Sequence, residues 1–416
     1  MSKKPQNVAQ YRAIIHASEL YTGAGIATKS GKRVQDPDMG KIEDGALIYS
    51  VRKVGKQEVP DRIIWVGETA RIPKEFAKAP ALHLRGKHCV TAGFVDCHTH
   101  LVFAGDRSEE FALRCGGLSY EEIAKRGGGI QTTVRATRSA SLQELEKLAI
   151  TRVLEALRFG TRVIEVKSGY GLDLETEMKQ LQVVQRLKRK FPQVKFSTTF
   201  LGAHAIPSGE RREAYVRAVI DDMLPLVTKE KLADACDVFV DAGYFELEDA
   251  RKIQAAAKRH GLGFKIHADE LGNTESALFA AKAGAWSADH LLCVSDKGIQ
   301  ALAASETVAV LLPTTAFYLK AKHAPGRKLM DAGSCVALAT DFNPGTSMTL
   351  NLPFAMTLGA LYLGMTRAEL LAAVTWNAAR ALRLEKEVGT LEPGKEALFS
   401  VHPFRRFEEI YYRFGW

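Results

Sequence analysis

The segment Thr91-Ala-Gly-Phe-Val-Asp-Cys-His-Thr-His100 decides how the rest of the chain is interpreted. Apolar and small residues lead into two histidines, His98 and His100, which are separated by one residue. In an extended strand this spacing directs both imidazoles to the same face. Two neutral imidazoles at the end of a buried strand indicate a metal site, although such a pair by itself also occurs as ordinary core or surface histidines.

Further polar residues close short apolar runs elsewhere in the chain, and they favour the metal site. His267 follows Phe-Lys-Ile, His290 ends Ser-Ala-Asp-His, and Asp341 ends Val-Ala-Leu-Ala-Thr-Asp. Imidazole and carboxylate are the usual side-chain ligands of zinc and of several other transition metals. The sequence therefore predicts that residues from distant strands meet at one site.

Apolar strand-like runs alternate with helical patterns along most of the chain. The patterns predict helices over 141–159, where Ser141 and Glu144 form a capping box and Gly160 ends the helix, over 173–190, and over 246–260. This alternation predicts an α/β fold with a parallel (β/α)8 barrel, whose chemistry lies at the carboxyl ends of the strands. The candidate strands are 93–102, 161–167, 195–203, 236–241, 263–268, 286–289, 307–312 and 335–340.

The two ends of the chain do not follow the barrel pattern. Residues 11–91 contain short strand-like runs separated by turns, and residues 388–416 contain a turn followed by one more such run, Leu398–His402. We therefore predict a small β-sandwich domain built from residues 1–91 and 385–416, beside a barrel over residues 92–384. An insertion over residues 103–140 separates the first barrel strand from its helix, and insertions of this length are usually functional.

Composition limits the classes of protein to consider. The chain has 416 residues, of which 46% are hydrophobic, and no apolar run approaches the roughly 20 residues that cross a bilayer. Its six cysteines are far apart, which favours a reducing, cytoplasmic location. Lys and Arg outnumber Asp and Glu by 57 to 48, but the charge is scattered, so we expect a small anionic substrate rather than nucleic acid.

Six segments make the chain similar to the amidohydrolase superfamily, and within it to the branch that opens the imidazolone ring in histidine degradation. The resemblance implies hydrolysis of the cyclic amide of 4-imidazolone-5-propanoate to N-formimidoyl-L-glutamate. It also implies a homodimer. The segments are Val95–Arg107, Gly127–Arg138, Glu165–Leu172, Thr199–Ala205, Lys265–Glu270 and Ala339–Thr346.

The resemblance also implies a role for each candidate site residue. One divalent or trivalent metal ion per chain, zinc or iron, would be held by His98, His100, His267 and Asp341. Proton transfer would fall to His290, Asp341 and Glu270. The side chains expected to contact the substrate are Arg107, which would pair with the propanoate, and Tyr120, Tyr170, His204, Glu270, Asn343, Gly345 and Thr346.

Three alternatives remain open at this stage. A related aminohydrolase that acts on a neutral heterocyclic amine would share the metal residues but would not need Arg107 and Tyr170. A two-metal cyclic amidase would need a carboxylated lysine on the fourth barrel strand, whereas Lys167 lies at the end of the second. A non-catalytic protein with the same fold would be expected to have lost metal ligands.

Overall fold

The computed structural model describes residues 10–118, 122 and 128–415. Its larger part is an eight-stranded parallel sheet in which each strand pairs with the next strand along the chain. This arrangement confirms the predicted (β/α)8 barrel. The barrel strands are β6 (Phe94–Asp96), β7 (Thr161–Lys167), β8 (Lys195–Ala203), β9 (Ala235–Val240), β10 (Gly263–Ala268), β11 (Ser287–His290), β12 (Val308–Leu311) and β13 (Val336–Leu338).

The first barrel strand is shorter than the sequence predicts, because it ends at Asp96 instead of continuing to residue 102. The residues that follow meet the segment after β13 instead of extending a regular strand. The amide of Asp341 donates to the carbonyl of His98 at 3.0 Å, and the amide of His100 donates to the carbonyl of Phe342 at 2.9 Å. These bonds connect the first and last strands at the carboxyl end of the barrel, where the candidate ligands lie.

The three predicted helices are present, as Leu142–Arg158 with the capping box of Ser141 and Glu144, Leu174–Lys190, and Leu247–Arg259. The insertion over 103–140 is partly helical rather than an open loop, with Ser108–Cys115 and Ile130–Ser139. The remaining described α-helices are Ala24–Thr28, Arg212–Ala218, Leu224–Lys229, Ser276–Ala283, Asp296–Ala303, Pro313–Leu319, Gly326–Ala332, Leu352–Tyr362, Arg367–Val374, Trp376–Arg380 and Glu408–Tyr412; short 3-10 segments cover Asp36–Met39, Thr69–Arg71 and Lys74–Phe76, and a π-helical turn covers Val219–Met223. Within the described ranges, every helix is too short or too polar to cross a lipid bilayer.

Strands from both ends of the chain form the smaller β domain, as predicted, although they lie in one sheet and not in the two packed sheets of a sandwich. They make one six-stranded, mostly antiparallel sheet, in which the C-terminal strand pairs with β5. Apolar side chains pack on both of its faces. The strands are β1 (Tyr11–Tyr21), β2 (Lys41–Val54), β3 (Gln57–Glu68), β4 (Ala81–His83), β5 (Cys89–Ala92) and β14 (Phe399–His402).

His402 lies between the β domain and the barrel, and we expect it to make stability depend on pH. Its ring lies 4.9 Å from that of Phe94, and its Nε2 is 2.9 Å from the hydroxyl of Thr91. Burial, assisted by the positive charge of Arg162, lowers the pKa of His402 to about 3. The unfolded chain takes up this proton near pH 6.5, so the stabilisation is complete above that pH and is lost as the pH falls toward 3.

The matched variant is His402→Gln, which is neutral at every pH in this range. Between pH 7 and pH 5, the free energy of unfolding should fall by about 2 kcal/mol more in the parent than in the variant. Urea denaturation at both pH values measures this difference, and other titrating groups cancel in the comparison. Parallel pH dependences of the two proteins would contradict the prediction.

Candidate metal centre and active site

The candidate metal ligands come from widely separated parts of the sequence and meet at the carboxyl end of the barrel. His98 and His100 follow β6, His267 lies in β10, His290 ends β11, and Asp341 follows β13. All five residues are buried. The convergence follows from the barrel topology, since parallel strands all end at the same rim.

The distances between these side chains suit a shared cation. The Oδ1 atom of Asp341 lies 3.4 Å from His98 Nε2 and 3.5 Å from His100 Nε2. The ring centroids of His98 and His267 are 4.6 Å apart. His98, His100 and Asp341 form one group whose candidate ligand atoms lie within 4.8 Å of one another. Three imidazoles and one carboxylate are a donor set that suits a divalent transition metal.

Two of the histidines are held so that one ring nitrogen stays available. His98 Nδ1 contacts Asp289 at 2.6 Å, and His267 Nδ1 contacts Asp237 at 3.2 Å. Their Nε2 atoms are buried and have no hydrogen-bond partner among the described residues. A carboxylate at Nδ1 favours the tautomer whose Nε2 carries the lone pair, as metal-ligating histidines commonly require. These orphaned nitrogens show that the residues fit a divalent metal ion.

His290 is as close to the other histidines as the predicted ligands are. With His98 and His267 it forms a second group whose nitrogens lie within 4.8 Å of one another. Its Nε2 also lies 3.5 Å from Glu270 Oε2, and its Nδ1 has no hydrogen-bond partner among the described residues. The geometry therefore allows His290 either to bind a metal or to exchange a proton beside it.

The electrostatics of the site keep most of its histidines neutral. Burial, and then neighbouring positive groups, hold the pKa values of His98, His100 and His290 well below the ordinary value. Burial, followed by the negative charge of Asp341, raises the pKa of Glu270 to about 8. A bound cation would favour the charged carboxylate and would oppose protonation of the imidazoles. The site is therefore prepared to bind positive charge.

The backbone is strained at two of these residues. His290 has a φ of 79° and Asp341 has a φ of 49°, in the left-handed region that residues other than glycine rarely adopt. The hydroxyl of Thr315 donates to Asp341 Oδ2 at 2.6 Å and holds the carboxylate in place. Such strain persists only where surrounding contacts impose it, and it is often found at active sites.

Beneath the ligands lies a group of buried charges that sequence analysis missed. Lys167 Nζ lies 2.7 Å from Asp237 and 3.6 Å from Asp289, the two carboxylates that hold the ligand histidines. Lys265 Nζ lies 2.6 Å from Glu165, and all these side chains are fully buried. Burial alone would lower the pKa of Lys167, but the surrounding carboxylates outweigh it and raise that pKa. Charged residues in the middle of apolar barrel strands were the available sign of this network.

The predicted substrate residues line a single cavity of about 320 Å³ above the candidate ligands. His204 stacks on His100 with ring centroids 5.0 Å apart, and Tyr170 packs against both rings. Tyr120 lies outside the described residues. Arg114, Phe239 and Tyr244 line the cavity although sequence analysis did not single them out; the predicted residues that line it are His100, Arg107, Tyr170, His204, His267, Glu270, His290, Asp341, Asn343, Gly345 and Thr346.

Arg107 lines the cavity, and its guanidinium is hydrogen-bonded to Glu110. Its Nε atom donates to Glu110 Oε2 at 3.0 Å, and a second donor of the same guanidinium also contacts Glu110. Only 8% of the Arg107 side chain is exposed. The guanidinium packs so closely over Gly345 that a Cβ there would lie 2.2 Å from its Nη1 atom. A side chain at position 345 would therefore displace the Arg107 guanidinium from the place that it occupies here.

Known proteins resemble this chain over nearly its full length. A profile of the amidohydrolase family matches residues 89–406. An imidazolonepropionase of Brevibacillus brevis is 44% identical over 407 residues, which cover 97% of this chain and 94% of the relative. One from Porphyromonas gingivalis is 45% identical over 419 residues, which cover 100% of this chain and 96% of the relative.

Solved structures at lower identity share the fold. An adenosine deaminase from Xanthomonas campestris, described with bound zinc, superposes with a TM-score of 0.68 at 16% identity, over 94% of this chain and 84% of its own. A triazine hydrolase superposes with a TM-score of 0.69 at 15% identity, over 94% and 86%.

The chain belongs to the amidohydrolase family, and within that family to the imidazolonepropionases. It is a hydrolase with a divalent metal site at the carboxyl end of its barrel. The described part of the chain retains every predicted metal ligand at that site, which argues against a non-catalytic protein on the same fold.

Proposed function

We propose that this enzyme hydrolyses the ring amide of 4-imidazolone-5-propanoate and releases N-formimidoyl-L-glutamate. Water supplies the oxygen of the new carboxylate, the ring C–N bond breaks, and the leaving nitrogen takes up a proton. The observation that carries the proposal is the position of Arg107, which lines the same cavity as the candidate metal ligands. The names of the relatives support the same reaction.

His98, His100, His267 and Asp341 would hold a single ion, zinc or iron. When bound, such an ion lowers the pKa of water and polarises an amide carbonyl. The zinc described in the Xanthomonas campestris adenosine deaminase supports zinc. A second ion bridged by a carboxylated lysine is disfavoured, because β9 is Ala-Cys-Asp-Val-Phe-Val and the Lys167 ammonium is paired with Asp237.

Proton transfer is assigned to His290 and Glu270, with Asp341 as an additional acceptor. His290 takes the proton of the attacking water, and Glu270 delivers a proton to the leaving ring nitrogen. The 3.5 Å separation of His290 Nε2 and Glu270 Oε2 supports this pairing, since the two groups are close enough to pass a proton from one to the other. Asp341, whose Oδ2 is held by the hydroxyl of Thr315, is the additional acceptor.

The substrate residues are assigned by the chemistry of their side chains. Arg107 and Tyr170 would bind the propanoate, and His204 would contact the ring. Asn343 shapes the adjoining loop, because its Oδ1 accepts from the amides of Gly345 and Thr346 at 2.9 and 2.8 Å. The role of Tyr120, the domain boundaries at residues 91 and 384, a homodimer, a cytoplasmic location and the lack of a nucleic-acid partner stay predictions.

Metal analysis combined with an ultraviolet assay for loss of the imidazolone tests the proposal. Freshly purified protein should contain close to one ion per chain and should consume 4-imidazolone-5-propanoate. Metal-loaded protein that leaves this compound unchanged but deaminates a neutral heterocyclic amine would overturn the proposed function. A reproducible ratio near two, with a carboxylated Lys167, would overturn the single-ion site.

Arg107→Met should weaken kcat/KM for the propanoate substrate by about thirtyfold to a few hundredfold. Removing one partner of a desolvated charge pair typically costs about 2–5 kcal/mol of binding free energy. We expect a loss near the lower end of this range, because Glu110 already neutralises part of the charge of Arg107. The analogue whose propanoate is replaced by a propanamide should lose little. Steady-state kinetics on both compounds measures the difference.

The control is the double variant Arg107→Met with Glu110→Gln. Without Arg107, the carboxylate of Glu110 would repel the substrate, and this double variant removes that repulsion. The loss that remains in it is the contribution of the arginine itself. If the two compounds lose activity equally in both variants, Arg107 does not bind the carboxylate.

A further inference from the structure

A second arginine, Arg114, also lines the cavity. Arg107 precedes the helix Ser108–Cys115, and Arg114 lies in its last turn. The guanidinium of Arg114 lies 4.8 Å from the ring centroid of Tyr318 and 5.5 Å from that of Phe111, and those two rings stack on each other at 4.7 Å. The aromatic rings therefore fix the guanidinium at the wall of the cavity.

Within the described part of the chain, the hydrogen bonding of Arg114 is incomplete. Its Nη1 atom donates to the carbonyl of Gly345 at 3.4 Å, which is a long contact. Its Nη2 atom is buried and has no hydrogen-bond partner among the described residues. Leaving a buried charged donor unpaired is costly, so native proteins usually supply a partner, and here the cavity is the space in which a ligand can provide it.

The distribution of charge around the cavity also supports a ligand-binding role for Arg114. Glu110 accepts hydrogen bonds from Arg107 and from the amide of Gly129, and these outweigh burial and lower the pKa of Glu110. Glu110 is therefore a carboxylate that balances the charge of Arg107. The positive charge of Arg114 remains as the net charge of this group of three side chains, beside the loop that carries Gly345 and Thr346.

We propose that Arg114 is a second specificity-determining residue, whose guanidinium binds the carboxylate of the substrate together with Arg107. This inference rests on the proposed function, because it concerns the acidic tail of the same substrate. Arg107 is held by Glu110 and orients the carboxylate, whereas Arg114 supplies a further positive charge and an N–H donor that has no partner among the described residues. A carboxylate has two oxygens and can accept from both guanidinium groups.

Arg114→Met should raise KM for 4-imidazolone-5-propanoate by about ten- to a hundredfold while kcat changes by less than about threefold. A hydrogen bond to a charged group contributes to binding in the ground state and the transition state alike, and its loss appears in KM. Arg114→Lys should recover part of the affinity, since lysine keeps the charge but not the planar fork. The propanamide analogue should bind equally to the parent and to both variants.

A binding measurement separates this proposal from the proposed function. Calorimetry with 3-(imidazol-4-yl)propanoate and with its amide, on metal-loaded protein, reports recognition of the carboxylate without turnover. Failure of the parent to hydrolyse the imidazolone would overturn the proposed function, whereas unchanged affinity for the acid in Arg114→Met would overturn the role of Arg114. Arg259→Met, which removes an exposed positive charge from the end of another helix, is the matched control and should behave as the parent.

A purely structural role of Arg114 would give different results. If Arg114 only held its helix against Tyr318, the variants would lose thermal stability and would bind the acid and the amide equally poorly. That result would overturn the proposal. If Arg114→Met fails to fold, Arg114→Lys tests the proposal instead. An affinity of this variant for the acid equal to that of the parent would show that the planar guanidinium of Arg114 does not bind the carboxylate.

Discussion

His267→Ala is expected to release the metal ion and to abolish turnover. His267 is one of three imidazoles around the carboxylate of Asp341, and its Nε2 atom has no hydrogen-bond partner among the described residues. Losing a ligand should reduce metal affinity by more than the roughly 10- to 100-fold that follows removal of a partner of a ligand. Elemental analysis after dialysis, together with the ultraviolet assay, measures both effects.

Two control variants make this result specific. His83→Ala removes an exposed histidine from the β domain and should retain both metal and activity. Asp237→Asn keeps His267 but removes the carboxylate at its Nδ1, so it should bind metal more weakly than the parent and more tightly than His267→Ala. A metal content near one per chain in dialysed His267→Ala would exclude His267 as a ligand.

His290→Asn is expected to keep the metal and to lower kcat by about a hundredfold to ten thousandfold. This is the usual size of a contribution from general acid–base catalysis, and asparagine cannot accept the proton that an imidazole accepts. The position of His290 beside Glu270 supports a role in proton transfer. Metal content and kcat measured on the same preparation test the assignment.

Each result of this experiment has a structural meaning. His290 lies in a group with His98 and His267 whose nitrogens are within 4.8 Å of one another, so loss of metal in His290→Asn would identify it as a ligand and contradict the base assignment. If the variant binds metal and turns over at close to the rate of the parent, the role of proton acceptor would be assigned to Asp341. Glu270→Gln is the companion variant, and a loss of comparable size would support an exchange of protons between the two side chains.

Local sequence patterns determined much of the fold. The helix that begins after Ser141 was predictable because its capping box and the period of its leucines depend only on neighbouring residues. The barrel was predictable because strands and helices alternate regularly, and the family resemblance agreed. The single sheet of the β domain was harder to predict, since β14 pairs with β5 across most of the chain and no local pattern encodes such a pairing.

The candidate metal ligands were predictable because each follows or ends an apolar strand, and parallel strands of a barrel end at one rim. The structure alone revealed what surrounds them. Asp289 and Asp237 touch ligand histidines through the interior of the barrel, and in sequence they are ordinary polar residues within strands. The pairing of Arg107 with Glu110, and the lack of a partner for Arg114 Nη2 among the described residues, likewise depend on side-chain packing.

The sequence by itself therefore determined the architecture, because this depends on periodicity and strand order. With the family resemblance, residue type also indicated the candidate ligands and the class of chemistry. Only the tertiary structure decided which nitrogen of His98 and of His267 is available, which carboxylates hold these rings, and how charge is distributed around the cavity. Those properties depend on distances of a few ångströms between side chains far apart in sequence. A difference of that size separates a hydrogen bond from no interaction.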